Sequence, residues 1–271
     1  MSIVPPDQLH YRLLGTPTPG KHPLVLLHGV MGFAANWGKV WPQFQEERQV
    51  LVLDQRGHGR SAKPASGYSP TDYADDLKGL LDHLGLAACH IVGHSMGGRV
   101  ALKFVELHPE NSLSLTLEDS GVETNFDRVG WLEGLLGDVP TPFAERAAAK
   151  EYFDKNFQDD PLTGSFLNAN LETKEDGRLD WRFYKEGMFA SIREGATMES
   201  AKIFQGLNLP TLVVRGGRSA HLPAAEANRM AAARPNVKLI TVEGAGHFVH
   251  AEQSAAFNAA LKEFLAEVEA K

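Results

Sequence analysis

Cys89-His90-Ile91-Val92-Gly93-His94-Ser95-Met96-Gly97-Gly98-Arg99-Val100 is the stretch that decides the fold. Its opening residues form an apolar run that reads as a buried strand. From Arg99 to Leu107 the apolar residues recur at helical spacing. Between strand and helix stands a serine with a glycine two positions before it and another two positions after. A serine can be held in so sharp a turn only if those two neighbours lack side chains that would collide. Gly93 and Gly97 meet that demand, and Gly98 lets the helix approach the sheet. The turn lifts the Ser95 hydroxyl out at the carboxyl edge of a sheet. It also sets the Met96 amide at a helix start, aimed at a developing oxyanion. The same letters in a flexible loop would mean little; strand before and helix after supply the mechanical reason.

Outward from this turn, the chain repeats the alternation. Leu24–Leu27, Val50–Leu53, Leu113–Leu117, Thr211–Val214 and Val237–Val242 read as five more short strands. Tyr73 to Leu84 puts Ala74, Leu77, Leu80, Leu81 and Leu84 on one helical face, and Ala251 to Val268 is similar. Strands alternating with helices predict an α/β fold with a mostly parallel, doubly wound sheet covered on both faces. Residues 122–206 break the pattern: they show no convincing strand and are rich in aromatics. The organisation read is a core of residues 1–121 and 207–271 with a helical cap subdomain, 122–206, over one end of the sheet. Ala147-Ala148-Ala149 is helix former rather than low complexity.

Composition narrows the function classes. A chain of 271 residues with 43% hydrophobic and 23% charged residues is an ordinary globular protein. With 27 basic and 34 acidic residues its net charge is -7, the wrong sign for electrostatic nucleic-acid binding. No apolar run reaches membrane-span length, and Met1 to His10 lacks the basic and apolar regions of a signal peptide. The single cysteine, Cys89, allows no internal disulfide and fits a reducing, cytoplasmic setting. None of this reads out the oligomeric state.

Two further loops carry chemistry. His28-Gly29-Val30-Met31-Gly32 directly follows the Leu24–Leu27 strand. A glycine there lets the backbone turn a second N–H, that of Val30, toward Ser95, completing an oxyanion hole with Met96. Gly244-Ala245-Gly246-His247-Phe248 follows the last strand, where a general base would stand in the chain order Ser, acid, His. Of the other histidines, His22, His83, His108 and His221 read as surface residues. His94 reads as packing or a hydrogen bond within the turn, and His250 has no cluster that would make a metal site. Gly15 to His22 nearly matches a phosphate loop. It lacks the final Ser or Thr, contains two prolines and leads into a strand, so it is rejected. Trp37 and Trp41 read as core or pocket wall, and Cys89 as packing.

Together, His28-Gly29, Asp54-Gln55-Arg56-Gly57-His58-Gly59-Arg60-Ser61, Gly93-His94-Ser95-Met96-Gly97-Gly98 and Gly244-Ala245-Gly246-His247 resemble the α/β-hydrolase superfamily over nearly the whole chain. The motifs are most similar to small serine esterases of the YbfF type and their ABHD-eleven-like relatives. The resemblance implies Ser95 as nucleophile, His247 as base, a carboxylate partner, no cofactor and no metal. It places a helical cap after the sixth strand of the fold, with Asp54, Arg56 and Gly57 in a turn that braces the site. Trp181-Arg182-Phe183 resembles a cap segment of that group, which makes Trp181 and Phe183 candidate substrate-binding residues.

The acid departs from the commonest pattern. The loop after Thr211–Val214, Arg215 to His221, contains no carboxylate; Ser219 stands where one is expected. The resembled esterases take an aspartate from the end of the preceding strand, which here is Leu117-Glu118-Asp119-Ser120. Asp119 is therefore the assigned acid, with Glu118, Glu226 and the acids of residues 122–206 as alternatives. The implied activity is a carboxylic ester hydrolase (EC 3.1.1.-) acting on small esters of short to medium acyl chains. A thioesterase, a perhydrolase or cofactor-free haloperoxidase, and a C–C hydrolase would need the same residues. Ser95 argues against the aspartate-nucleophile dehalogenases and epoxide hydrolases, and a non-catalytic ligand binder is the reading from a different class.

Overall fold

Leu24-Val25-Leu26-Leu27 has no polar face to offer solvent, so it must lie inside a sheet covered on both sides. In the computed structural model it does. The structure describes residues 3–124 and 126–270. Met1 and Ser2, from the stretch read for a signal segment, lie outside the described residues, as do Asn125 of the insertion and Lys271. The strands are β1 (Tyr11–Leu14), β2 (Leu24–Leu27), β3 (Val50–Leu53), β4 (Cys89–His94), β5 (Ser112–Glu118), β8 (Thr211–Gly216) and β9 (Val237–Val242), separated by a two-stranded hairpin described below. They form one sheet in the order β1-β3-β2-β4-β5-β8-β9, parallel except for β1, which runs antiparallel to β3. The register aligns Val25 with Ile91, Gly93 with Leu117, and Leu117 with Val213. β1 carries only a weak apolar pattern and escaped the sequence reading; its backbone pairing with β3 holds it.

Alternation along the strands splits the core in two. Val25, Leu27, Leu51, Leu53, Ile91, Leu115 and Leu117 face α1 (Pro70–Leu84), α2 (Met96–Leu107) and α8 (Ala224–Ala233). Leu24, Leu26, Val50, Val52, Val92, Leu212 and Val214 face Trp37, Phe44, the short α9 (Val249–Glu252) through Val249, and α10 (Ser254–Glu269), which contributes Phe257, Leu261, Phe264 and Leu265. α1 is bounded as its sequence dictates. Ser69 and Asp72 exchange capping hydrogen bonds, Pro70 begins the helix, and Gly85 closes it at φ 67°.

Residues between β5 and β8 form α3 (Phe126–Asp138), α4 (Arg146–Asn156), α5 (Pro161–Ala169), α6 (Lys185–Ala196) and α7 (Ser200–Gly206). Counting only strands present in this chain, the insertion follows the fifth. The expectation that it holds no strand needs correction. β6 (Leu171–Thr173) and β7 (Leu179–Trp181) pair as a short antiparallel hairpin around the turn that contains Gly177. Three residues per strand leave too little alternation for a period-2 signal to be legible. The insertion's apolar residues, among them Phe143, Phe153, Leu167 and Met188, join the α1/α2 side of the core in one continuous cluster. Among the described residues, no helix is long and apolar enough to cross a membrane.

Candidate active site

The strand-to-helix turn forces an unusual backbone. Ser95 has φ 53° and ψ -118°, a strained combination for a residue with a side chain. The two glycines have a measurable reason. A Cβ on Gly93 would fall 2.2 Å from the Gly97 carbonyl oxygen, and one on Gly97 would fall 2.3 Å from that of Leu27. The turn is tied down from the next strand. Ser95 N–H donates to the Glu118 carbonyl at 3.1 Å, and the Ser120 hydroxyl donates to the Ser95 carbonyl at 2.8 Å.

The loop after β2 packs directly against this turn. A Cβ on Gly29 would meet His94 Nδ1 at 2.9 Å and Ser95 Cβ at 3.2 Å. Gly32 N–H closes the loop on the Gly29 carbonyl, 3.0 Å, and Met31 takes φ 63° while its N–H donates to His58 Nε2 at 3.2 Å. Burial pushes His28 below its ordinary pKa and His58 well below, so both stay neutral and His58 Nε2 can accept. Val30 sits at the tip of this loop. Met96 is the first residue of α2, so its N–H has no helical carbonyl to bond. The Asp54 turn braces the same loop: Asp54 accepts from Ala34 N–H at 2.7 Å and from Arg60 N–H at 2.9 Å.

Asp119 ends β5 at φ 44°. Its Oδ2 lies 2.7 Å from His247 Nδ1. It also accepts from the Ser219 hydroxyl at 2.5 Å, while Oδ1 accepts from Gly216 N–H at 3.0 Å. Ser219, at the position where a carboxylate was expected, thus braces the carboxylate that sits one strand away. Asp119 is buried and His247 retains 15% side-chain exposure. The alternative acids are engaged elsewhere. Glu118, fully buried, accepts from His250 N–H at 2.7 Å and lies 2.8 Å from His250 Nδ1. Glu226 accepts from Glu123 N–H at 2.8 Å, and burial raises its pKa.

Three histidines cluster around His247. His94 Nε2 lies 3.0 Å from the His247 carbonyl; burial holds His94 well below its ordinary pKa, so the neutral ring donates there. Its ring centroid is 4.6 Å from that of His247 and 5.1 Å from that of His250. His221, read from the sequence as a surface residue, is corrected. It stacks on His247 with centroids 3.7 Å apart and planes 17° apart. The signal available was its place on the loop after β8, at the carboxyl edge of the sheet. His250 and Glu118 were also missed as a pair, because 132 residues separate them.

Two cavities of about 520 and 540 Å³ meet at Ser95, with Val30, Leu132 and His221 on both walls. Trp181 and Phe183, read as candidate substrate-binding residues, line neither. They are 3% and 4% exposed and stack on each other at 4.8 Å, because they fill the interior of the insertion around its hairpin. Trp37 is buried and borders the second cavity, and Trp41 is covered by Arg12 at 5.1 Å. Cys89 is buried and its thiol is pushed up to about 12, consistent with packing. Among the described residues no group of three or more His, Cys, Asp or Glu side chains could hold a metal ion.

Residues 22–254 match the family described as the alpha/beta hydrolase fold. The dihydrolipoyllysine-residue acetyltransferase component of an acetoin cleaving system from Pseudomonas putida is 33% identical over 254 residues, 91% of this chain. This chain spans only 64% of that longer relative. The sn-1-specific diacylglycerol lipase ABHD11 of Mus musculus is 29% identical over 252 residues, covering 90% of this chain and 80% of that one. The crystal structure of E-2-(acetamidomethylene)succinate hydrolase superposes with a TM-score of 0.84 at 25% identity, over 95% of both chains. The chain belongs to the α/β-hydrolase fold family, and it is a hydrolase.

Proposed function

We propose that this α/β-hydrolase is a serine carboxylesterase that cleaves small esters of short to medium acyl chains through an acyl-enzyme. The observation that carries the reading is the Asp119–His247 pair at 2.7 Å, beside a strained Ser95 where two cavities meet. A 2.7 Å contact from Nδ1 to a buried carboxylate keeps the proton on Nδ1. That leaves Nε2 bare to take the Ser95 proton. The Ser95 oxygen then attacks the acyl carbon, and the N–H groups of Val30 and Met96 hold the oxyanion. Asp119 steadies the imidazolium while His247 hands its proton to the leaving oxygen. The same base then draws a proton from water, which attacks the acyl-enzyme and frees the acid and Ser95. Residues 122–206 act in this scheme as a cap whose α3 and α5 wall the cavities.

Of the three proteins compared above, one is named a lipase and one a hydrolase, which supports a hydrolytic reaction on a carbonyl substrate. The test is direct. p-Nitrophenyl acetate should give a chromophore burst stoichiometric with enzyme, and a fluorophosphonate should label Ser95 alone. A protein that binds ligands without catalysis would give neither.

A further inference from the structure

The two cavities are not equivalent with respect to the chemistry at Ser95. Met96 lines the first cavity and not the second; His247 lines the second and not the first. In acyl transfer the proton donor must reach the leaving oxygen, while the oxyanion donors hold the carbonyl. On the esterase reading above, the leaving group therefore extends into the second cavity, and the acyl chain into the first.

The first cavity is lined by Val30, Val100, Leu132 and Ile192, which suit an alkyl chain, and also by the charged Arg99, Glu123, Asp127, Glu226 and Arg229. Besides Ser95, Ser120 and Thr124, it carries the hydroxyls of Tyr73 and Ser191. Tyr73, from α1, is 3% exposed, and its buried phenol oxygen completes no hydrogen bond of proper geometry with any protein group. Ser191, from α6, is 4% exposed and lies beside it. Its hydroxyl donates at 3.2 Å to Met96 Sδ, a weak acceptor. Burial raises the Tyr73 phenol far above its ordinary range, partly offset by the neighbouring Ser191, so it remains a proton donor at any working pH. A buried hydroxyl without a strong partner is costly, and a substrate that brings an acceptor recovers that cost on binding.

We infer that the cavity lined by Met96 is the acyl site, and that Tyr73 and Ser191 make the enzyme select acyl chains carrying a hydrogen-bond acceptor, an oxo-acyl ester being the simplest. The apolar walls bind the methylenes, and the two hydroxyls receive a carbonyl oxygen partway along the chain. Plain alkanoyl esters fit the same cavity but leave the phenol with only the poorly aligned Ser191 hydroxyl beside it.

The experiment uses isosteric pairs of p-nitrophenyl esters: 4-oxopentanoate against 4-methylpentanoate, and 5-oxohexanoate against 5-methylhexanoate. The readout is the ratio of kcat/KM within each pair, for the wild type, Tyr73→Phe and Ser191→Ala. Because the ratio is internal to each variant, loss of folded protein cancels, as do the inductive differences between the esters. For at least one pair the ratio should fall about tenfold in Tyr73→Phe, the size of one neutral hydrogen bond, and by less in Ser191→Ala. Ratios unchanged within twofold for both pairs in both variants would overturn the inference. So would a ratio that moves only when the ketone is carried on the alcohol side, in 4-oxopentyl pentanoate. If the wild type hydrolyses none of these esters and Ser95 takes no fluorophosphonate, it is the esterase reading that fails.

Discussion

Replacing Asp119 by Asn keeps the volume of the side chain and removes its charge. The carboxylate accepts from His247 Nδ1 and the Ser219 hydroxyl at Oδ2, and from Gly216 N–H at Oδ1. An amide offers one oxygen and one NH₂. Ser219 can rotate to accept, but the Gly216 backbone can only donate, so the amide oxygen stays on Gly216 and the NH₂ faces His247. The imidazole must then accept at Nδ1 and carry its proton on Nε2, the nitrogen that acts as base in the proposed mechanism. The corresponding change in the Ser-His-Asp triad of a serine protease costs about 10⁴ in kcat. A loss of about 10³ to 10⁴ is expected here, equivalent to about 4 to 5.5 kcal/mol of transition-state stabilisation. The assay is p-nitrophenyl butanoate turnover, with circular dichroism to verify the fold. Adding Ser219→Asp should recover part of the activity, because that loop already places position 219 against the acid. Near-normal turnover of Asp119→Asn would refute the reasoning, as would its collapse in Glu226→Gln instead.

Other outcomes are expected. Ser95→Ala should abolish fluorophosphonate labelling and lower kcat by about 10⁶, measured with the same ester. Activity on monomeric short-chain esters should not climb steeply as micelles form; a sharp rise across the critical micelle concentration of a longer ester would contradict it. Glu118→Gln weakens the charged hydrogen bonds to His250 and should cost about 2 kcal/mol of stability by urea titration, with Ser95 still labelled. Burial, then the nearby Arg48, lowers His90 to about 4 in the fold, against about 6.5 unfolded. The unfolded chain therefore binds this proton first, and His90 contributes stability above about pH 6.5 that is lost as pH falls toward 4, up to about 3 kcal/mol. His90→Gln should flatten the thermal-stability profile across that window; an unchanged slope would show that other groups carry it.

The strands β2 to β5 and β8 were legible because each is buried almost throughout and reads as a short apolar run between turn residues; β9, a half-buried edge strand, was legible from its apolar Val237, Leu239, Ile240 and Val242. β1 was not, because its pattern is half exposed, and the β6–β7 hairpin was not, because three residues carry no period. The turn around Ser95 was legible because its strain demands glycines at set offsets, and such a demand is local. His247 was legible from chain order and the glycines around it. Asp119 came from the resemblance and from the missing carboxylate in Arg215–His221, not from any spacing rule.

What the sequence by itself determined are the features whose physics acts within a few residues: the buried strands, the capped α1, the strained turn and the glycine loops that approach it. Only the tertiary structure decided which side chains meet across the carboxyl edge of the sheet. It brought Ser219 onto Asp119 over 100 positions, Glu118 onto His250 over 132, and His221 face to face with His247. It also turned Trp181 and Phe183 inward to pack on each other, while Tyr73 and Ser191 came to line a cavity. A hydrogen bond between distant residues leaves no local periodicity, because its cost and its geometry are settled only when parallel strands bring loops from distant parts of the chain to one edge.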